Sequence, residues 1–259
     1  MITPPVLTSP VLAALPGVRH AFFTRVCGVS QGIYASLNLG PGSGDDPAAV
    51  AENRRRAASI FDVEASALRN AYQVHSTHVV MADGDWIAGP PEADAVVATQ
   101  PGLVCAALAA DCAPVLLADP EARVVAAVHA GWRGALAGVV EAAVAAMTGL
   151  GARPERMAAV VGPCIAQASY EVGPEFLAAF IQADAAAARF FAPGVTPDKR
   201  QFDLPGFVLS RLEAAGVETR AWLGRDTCAE AGLFFSNRRA FRAGETDYGR
   251  LMSAIMLEG

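Results

Sequence analysis

Residues 114–134 read Pro114-Val-Leu-Leu-Ala118, a turn, Arg123-Val-Val-Ala-Ala-Val128, and then His129-Ala-Gly-Trp-Arg-Gly134. The first two runs have the length and β-branched content of strands, and residues 93–98 and 103–108 share that character. All four runs are apolar on both faces, so the sheet they form has to be covered on both sides. The glycine-punctuated segment then turns strand into helix, with the helix predicted from about Gly134 to Met147.

Working outward, residues 40–47 (Gly-Pro-Gly-Ser-Gly-Asp-Asp-Pro) form a loop. Asp46 reads as an N-cap with Pro47 at the first helical position, opening a helix to about Ile60. Arg54, Arg55 and Arg56 on that helix read as a solvated face. Further helices are predicted after Pro174 and over residues 184–190 and 204–215, with strands around Val160 and over 217–222. Residues 250–257 fit either a strand or a helix. Strand runs and helices mixed in this way predict an α/β fold of the α+β type. It should be a layered sandwich with mixed β-sheets covered by helices, forming one domain over residues 1–259.

The 259 residues are 53% hydrophobic and carry a formal charge of −6. No basic stripe interleaved with aromatics occurs, which argues against nucleic acid as a partner because counterion release needs clustered positive charge. The most apolar windows, 101–118 and 134–147, contain Asp111 and Glu141, so no membrane span is expected. The first ten residues have no basic region and several prolines, a poor secretion signal. Five widely spaced cysteines without a CxxC pair point to a reducing, cytoplasmic setting.

The chain has four histidines, His20, His75, His78 and His129. His75, in Gln73-Val74-His75-Ser76, and His129 stand where predicted strands meet turns, and Cys112 stands at another such junction. These three lie 37 and 17 residues apart, too far for a zinc knuckle, so they have to converge from separate elements. One thiolate and two imidazoles are a ligand set for a transition metal with a position left open for substrate. Taken singly, each residue is better explained by burial or ordinary polarity, and only the three together with the glycine-rich context favour a metal site. The glycine-rich turn after His129 offers free N–H groups and Arg133 to an anion. Asp111 either orients a ligand or acts as a general base, or else caps a turn. His78 falls on the opposite side of an extended segment from His75 and reads as structural, as does His20. Cys27, Cys105 and Cys228 read as packing residues. Cys164, Arg25 and Asn38 are candidates to line a pocket.

The sequence resembles the laccase-like multicopper polyphenol oxidase proteins, also described as purine nucleoside phosphorylases and as a peptidoglycan-editing factor. The resemblance runs through Thr24-Arg25, Ser36-Leu37-Asn38-Leu39-Gly40, Gln73-Val74-His75-Ser76, Ala110-Asp111-Cys112, His129 to Gly134, Gly162-Pro163-Cys164-Ile165, Asp226-Thr-Cys228 and Gly249-Arg250. It departs at Cys27, where glycine is usual, and at Tyr72, where asparagine commonly precedes Gln73. The resemblance implies a zinc site of His75, Cys112 and His129 and a layered fold with mixed sheets. Together with the reading of the residues, this makes His75, Cys112, His129 and Arg133 the expected catalytic groups and Arg25, Asn38, Gln73, Asp111 and Cys164 the expected substrate contacts. The implied activity is phosphorolysis of adenosine, inosine, guanosine or methylthioadenosine, with deamination of adenosine. Three alternatives remain. A Cys112–His hydrolase would edit a wrongly incorporated amino acid in peptidoglycan precursors. A copper polyphenol oxidase would use the same ligands, although four histidines are too few for a multinuclear oxygen-reducing cluster. A nucleoside-binding protein without catalysis is the fourth reading.

Overall fold

Strand Val124–Ala130 is buried along its whole length and forms the centre of the molecule. The computed structural model describes residues 3–83, 86 and 89–259, so the start of the proposed 1–259 domain, Met1 and Ile2, lies outside the described residues. Val124, Ala126 and Val128 point to one side of the strand and Val125 and Ala127 to the other, as a two-residue period requires. The strand pairs antiparallel with Ala113–Asp119 and with Ala95–Ala98. Ala158–Val161 and then Thr219–Trp222 extend the sheet beyond the first, and Val79–Met81 beyond the second, giving a mixed sheet of six strands.

A second, five-stranded sheet has the order Val6–Leu7, Val18–Phe23, Leu251–Leu257, Val104–Ala109 and Leu68–Arg69, with only the last pair parallel. The two sheets pack face to face. Phe22, Cys105, Ala107 and Ile255 from the smaller sheet meet Val96, Leu116, Val125 and Val160 from the larger. Helices Val139–Gly149 and Leu204–Ala214 cover the outer face of the larger sheet, with Val140, Met147, Phe207 and Leu212 set against Val115, Leu117 and Val128. Helix Pro47–Ser59 covers the other outer face, with Ala57 and Ala58 set against Ala21, Phe23 and Met252. The result is helix, sheet, sheet, helix. Both sheets are therefore buried on both sides, as their continuous apolar runs require. A three-stranded antiparallel ribbon of Glu171–Val172, Arg200–Phe202 and Phe191–Pro193 packs beside this sandwich through Phe180 and Phe202.

Asp46 caps helix Pro47–Ser59 as expected, its carboxylate accepting from the N–H of Ala48 at 3.0 Å. The helix expected over 134–147 is two, Trp132–Ala137 and Val139–Gly149. The break is at Gly138, whose φ of 102° is open to glycine and costly for other residues. Residues 185–190 form a 3₁₀ helix instead of an α-helix, and residues 251–257 are a strand between two others. The solvated basic face is also corrected. Arg54 turns inward, donating to the carbonyl of Leu39 and to Oδ1 of Asn70, and Arg56 donates to the carbonyl of Cys27. Of the three, Arg55 alone is exposed. Among the described residues no helix is long and apolar enough to cross a membrane.

Candidate active site

The strand register decides which side chains meet. Ala113 pairs with Ala130 and Pro114 with His129, which sets Cys112 beside Gly131 at the strand ends. Ala95 pairs with Val128, so Asp94 comes opposite His129. Residues 104–109 belong to one sheet and 113–119 to the other, so Cys112 sits where the chain crosses between them. Asp111 makes that crossing with a φ of 92°, a conformation that its surroundings have to hold. Its buried carboxylate accepts from Thr227 Oγ1 at 2.6 Å, Ser236 Oγ at 2.9 Å and the Arg238 N–H at 2.6 Å. Burial pushes the Asp111 carboxyl up, and these donors oppose the shift.

His75 stands in a bend with a φ of 61°. Asp94 holds that bend by accepting from the N–H groups of Val74, His75 and Ser76 and from the Ser76 hydroxyl. The same carboxylate lies 2.8 Å from Nδ1 of His129. That contact leaves Nε2 of His129 free to face the other two ligands. Burial opposes ionisation of Asp94, but the hydrogen bonds from His129 and Ser76 outweigh it and bring the carboxyl down to about 2. Burial likewise pushes the Cys112 thiol up. The His129 charge and hydrogen bonds from His129 and His75 reverse that shift, lowering the thiol to about 6.

The ligand atoms of His75, Cys112 and His129 all lie within 4.8 Å of one another. Sγ of Cys112 is 3.7 Å from Nε2 of His75. Metal–sulfur and metal–nitrogen bonds of about 2.3 and 2.0–2.1 Å at a tetrahedral angle imply a separation of about 3.5 Å. The donor set therefore fits a metal in both chemistry and spacing. Gly131 makes room for it, since a Cβ there would stand 2.4 Å from Cδ2 of His75 and 3.0 Å from Sγ of Cys112.

The three residues line a cavity of about 360 Å³ together with Asn70, Tyr72, Gln73, Tyr248 and Arg250, among others. Of the residues expected to contact substrate, Gln73 alone lines this cavity. Its carboxamide bonds both ways to the backbone of Leu108, which fixes the segment leading to His75. Asn38 is buried behind the wall, where its Oδ1 accepts from the N–H of Arg250. Arg25 donates to the carbonyls of Ala35 and Ala231, and its guanidinium lies 4.3 Å from the Phe235 ring, lining a separate cavity. Cys164 is buried in a bridge to Asp226, and burial raises its thiol well above the usual range. Arg133 is exposed off the cavity and stacks on Trp132 at 4.7 Å. Cys27 lies off the cavity too, and its φ of 68° accounts for a preference for glycine there.

Residues 19–258 match the family model described as multi-copper polyphenol oxidoreductase laccase. The chain belongs to that family. It is 43% identical over 255 residues to a Deinococcus radiodurans protein named purine nucleoside phosphorylase, covering 98% of this chain and 93% of that one. A Streptomyces griseus protein of the same name is 42% identical, covering 95% of this chain and 97% of that one. Among solved structures, a Neisseria meningitidis protein superimposes with a TM-score of 0.88 at 36% identity, with complete coverage of both chains. YlmD from Geobacillus stearothermophilus gives 0.83 at 26% identity, covering 97% and 94%.

The laccase-family site contains residues that the sequence reading passed over. Asp94 organises both histidines yet reads only as part of an apolar strand run. A lone carboxylate among Ala93, Ala95 and Val96 was the available signal, because a buried acid needs partners. Tyr248 comes to the cavity from a distant segment and Asn70 from just before Tyr72, and neither carried a local signal.

Proposed function

We propose that the chain is a zinc-dependent purine nucleoside phosphorylase that acts on adenosine, inosine, guanosine and methylthioadenosine with phosphate, and that it also deaminates adenosine. The observation that carries this reading is the His75, Cys112 and His129 group opening into a cavity lined by two tyrosines, two asparagines and an arginine. Apolar rings with a few polar groups are the usual walls of a small-molecule site. The relatives named purine nucleoside phosphorylase support the same substrate class. One thiolate and two imidazoles favour zinc, with copper the second candidate.

When bound, the metal would supply Lewis-acid polarisation and an acidified water near neutral pH. The protein's own groups do the rest. Asp94 fixes the ring of His129 and the turn of His75, so both imidazoles face Cys112 Sγ, where the three would hold the metal and leave its fourth position to substrate. Cys112 contributes a thiolate. Asn70, Asn237 and Arg250 hold the polar edges of the substrate. Phosphate is taken by Arg250 on the cavity wall.

The test is incubation of purified protein with adenosine and phosphate, following adenine, inosine and ribose 1-phosphate. Formation of these products by the native protein and their loss in Cys112→Ala are expected. No turnover, or the same turnover in the variant, would overturn the proposal. The lowered Cys112 thiol beside His129 also supports a second reading, a thiol hydrolase acting on a peptidoglycan precursor. Release of serine from a UDP-linked muropeptide, with no nucleoside turnover, would favour that one.

A further inference from the structure

Tyr72 and Tyr248 are the two aromatic residues on the wall of the cavity, and they differ in what they offer a ligand. Tyr248 is partly covered, with the guanidinium of Arg250 4.7 Å from its ring centroid. Tyr72 is 60% exposed, and among the described residues no ring or cation stacks on it. The backbone beneath Tyr72 is nevertheless fixed. Its N–H donates to Pro91 at 2.9 Å, its carbonyl accepts from Ala93 at 3.1 Å, and it pairs with Glu92 in a bridge. Gln73, the next residue, is tied at both ends of its carboxamide to Leu108.

A large ring on a rigid backbone, left exposed beside a metal-ligand group, gives up little freedom when a ligand covers it. Tyrosine has two side-chain torsions to fix and a broad apolar face to bury. Tyr72 lies three residues before His75, so a ligand resting on it has the rest of its length in the cavity shared with Cys112 and His129. We propose that Tyr72 is the platform on which the planar heteroaromatic base of the substrate stacks. This rests on the nucleoside reading above. The phenolic hydroxyl has no necessary part, because stacking uses the ring face.

The test is the dissociation constant of inosine in phosphate-free buffer, where neither phosphorolysis nor deamination of an amine can proceed. It is measured by calorimetry for the native protein, Tyr72→Ala and Tyr72→Phe, with melting curves for all three. Stacking predicts roughly 5- to 100-fold weaker binding in Tyr72→Ala, the range found when an aromatic partner of a base is truncated. It also predicts near-native affinity in Tyr72→Phe and little change in melting temperature. Native affinity in Tyr72→Ala, or equal loss in both variants, would overturn the platform while leaving the nucleoside reading standing. If the native protein binds no inosine, the nucleoside reading falls and the platform with it.

Discussion

Oδ1 of Asp94 lies 2.8 Å from Nδ1 of His129 and accepts from the backbone of His75 at 3.0 Å, so one oxygen positions two of the three residues that could hold a metal. Replacing Asp94 with asparagine keeps the size of the side chain but turns an amide donor toward groups that need an acceptor. Metal affinity in Asp94→Asn should fall about 10- to 100-fold, the usual cost of losing the partner of a ligating histidine. Titration against a chromophoric chelator measures it. Unchanged affinity would mean that the ligands hold their places without Asp94.

Gly131 is needed for space and not for backbone freedom, because its φ is −66°. The Cβ of alanine would overlap the His75 ring and press on Cys112. Gly131→Ala should therefore lose metal affinity by about tenfold or more while the fold persists, since the crowded His75 ring is exposed and can swing away. Metal content and a melting curve of the same preparation separate the two effects. A variant that loads metal normally would show that the ring has room to move without cost.

The distribution of these residues explains what the sequence makes legible. Runs such as 114–118 and 123–128 are apolar and β-branched, so their strands and double-sided burial follow from composition alone. Cys112 and His129 are legible because each borders such a run. Asp94 is not, because its role depends on the Ala95–Val128 register, which no local pattern encodes. Arg54 points inward from an alanine-rich helix whose weak amphipathicity gives little sense of direction. The break at Gly138 is hidden for a similar reason, since a glycine within a long helical pattern is tolerated as often as it ends one.

His20 gives a pH dependence unconnected with catalysis. Its Nε2 accepts from the N–H of Ser9 at 2.8 Å, and burial lowers its pKa from 6.5 to about 4. Between those values the unfolded chain takes up a proton that the folded protein refuses. Stability from this group is full above about pH 6.5 and is lost as pH falls toward 4, by up to about 3 kcal/mol. Urea titrations across this range should show a steeper decline for the native protein than for His20→Gln, which keeps an acceptor but does not titrate. Equal slopes would show that His20 ionises alike in both states.

The most direct test of metal-dependent nucleoside chemistry at His75, Cys112 and His129 is the rate of adenine and ribose 1-phosphate formation before chelation, after it, and after zinc is returned. The rate should fall to background when the metal is stripped and recover with about one equivalent of zinc per chain, the loading of a single three-ligand site. A stripped protein that turns over adenosine at its original rate would show that the chemistry does not depend on the metal.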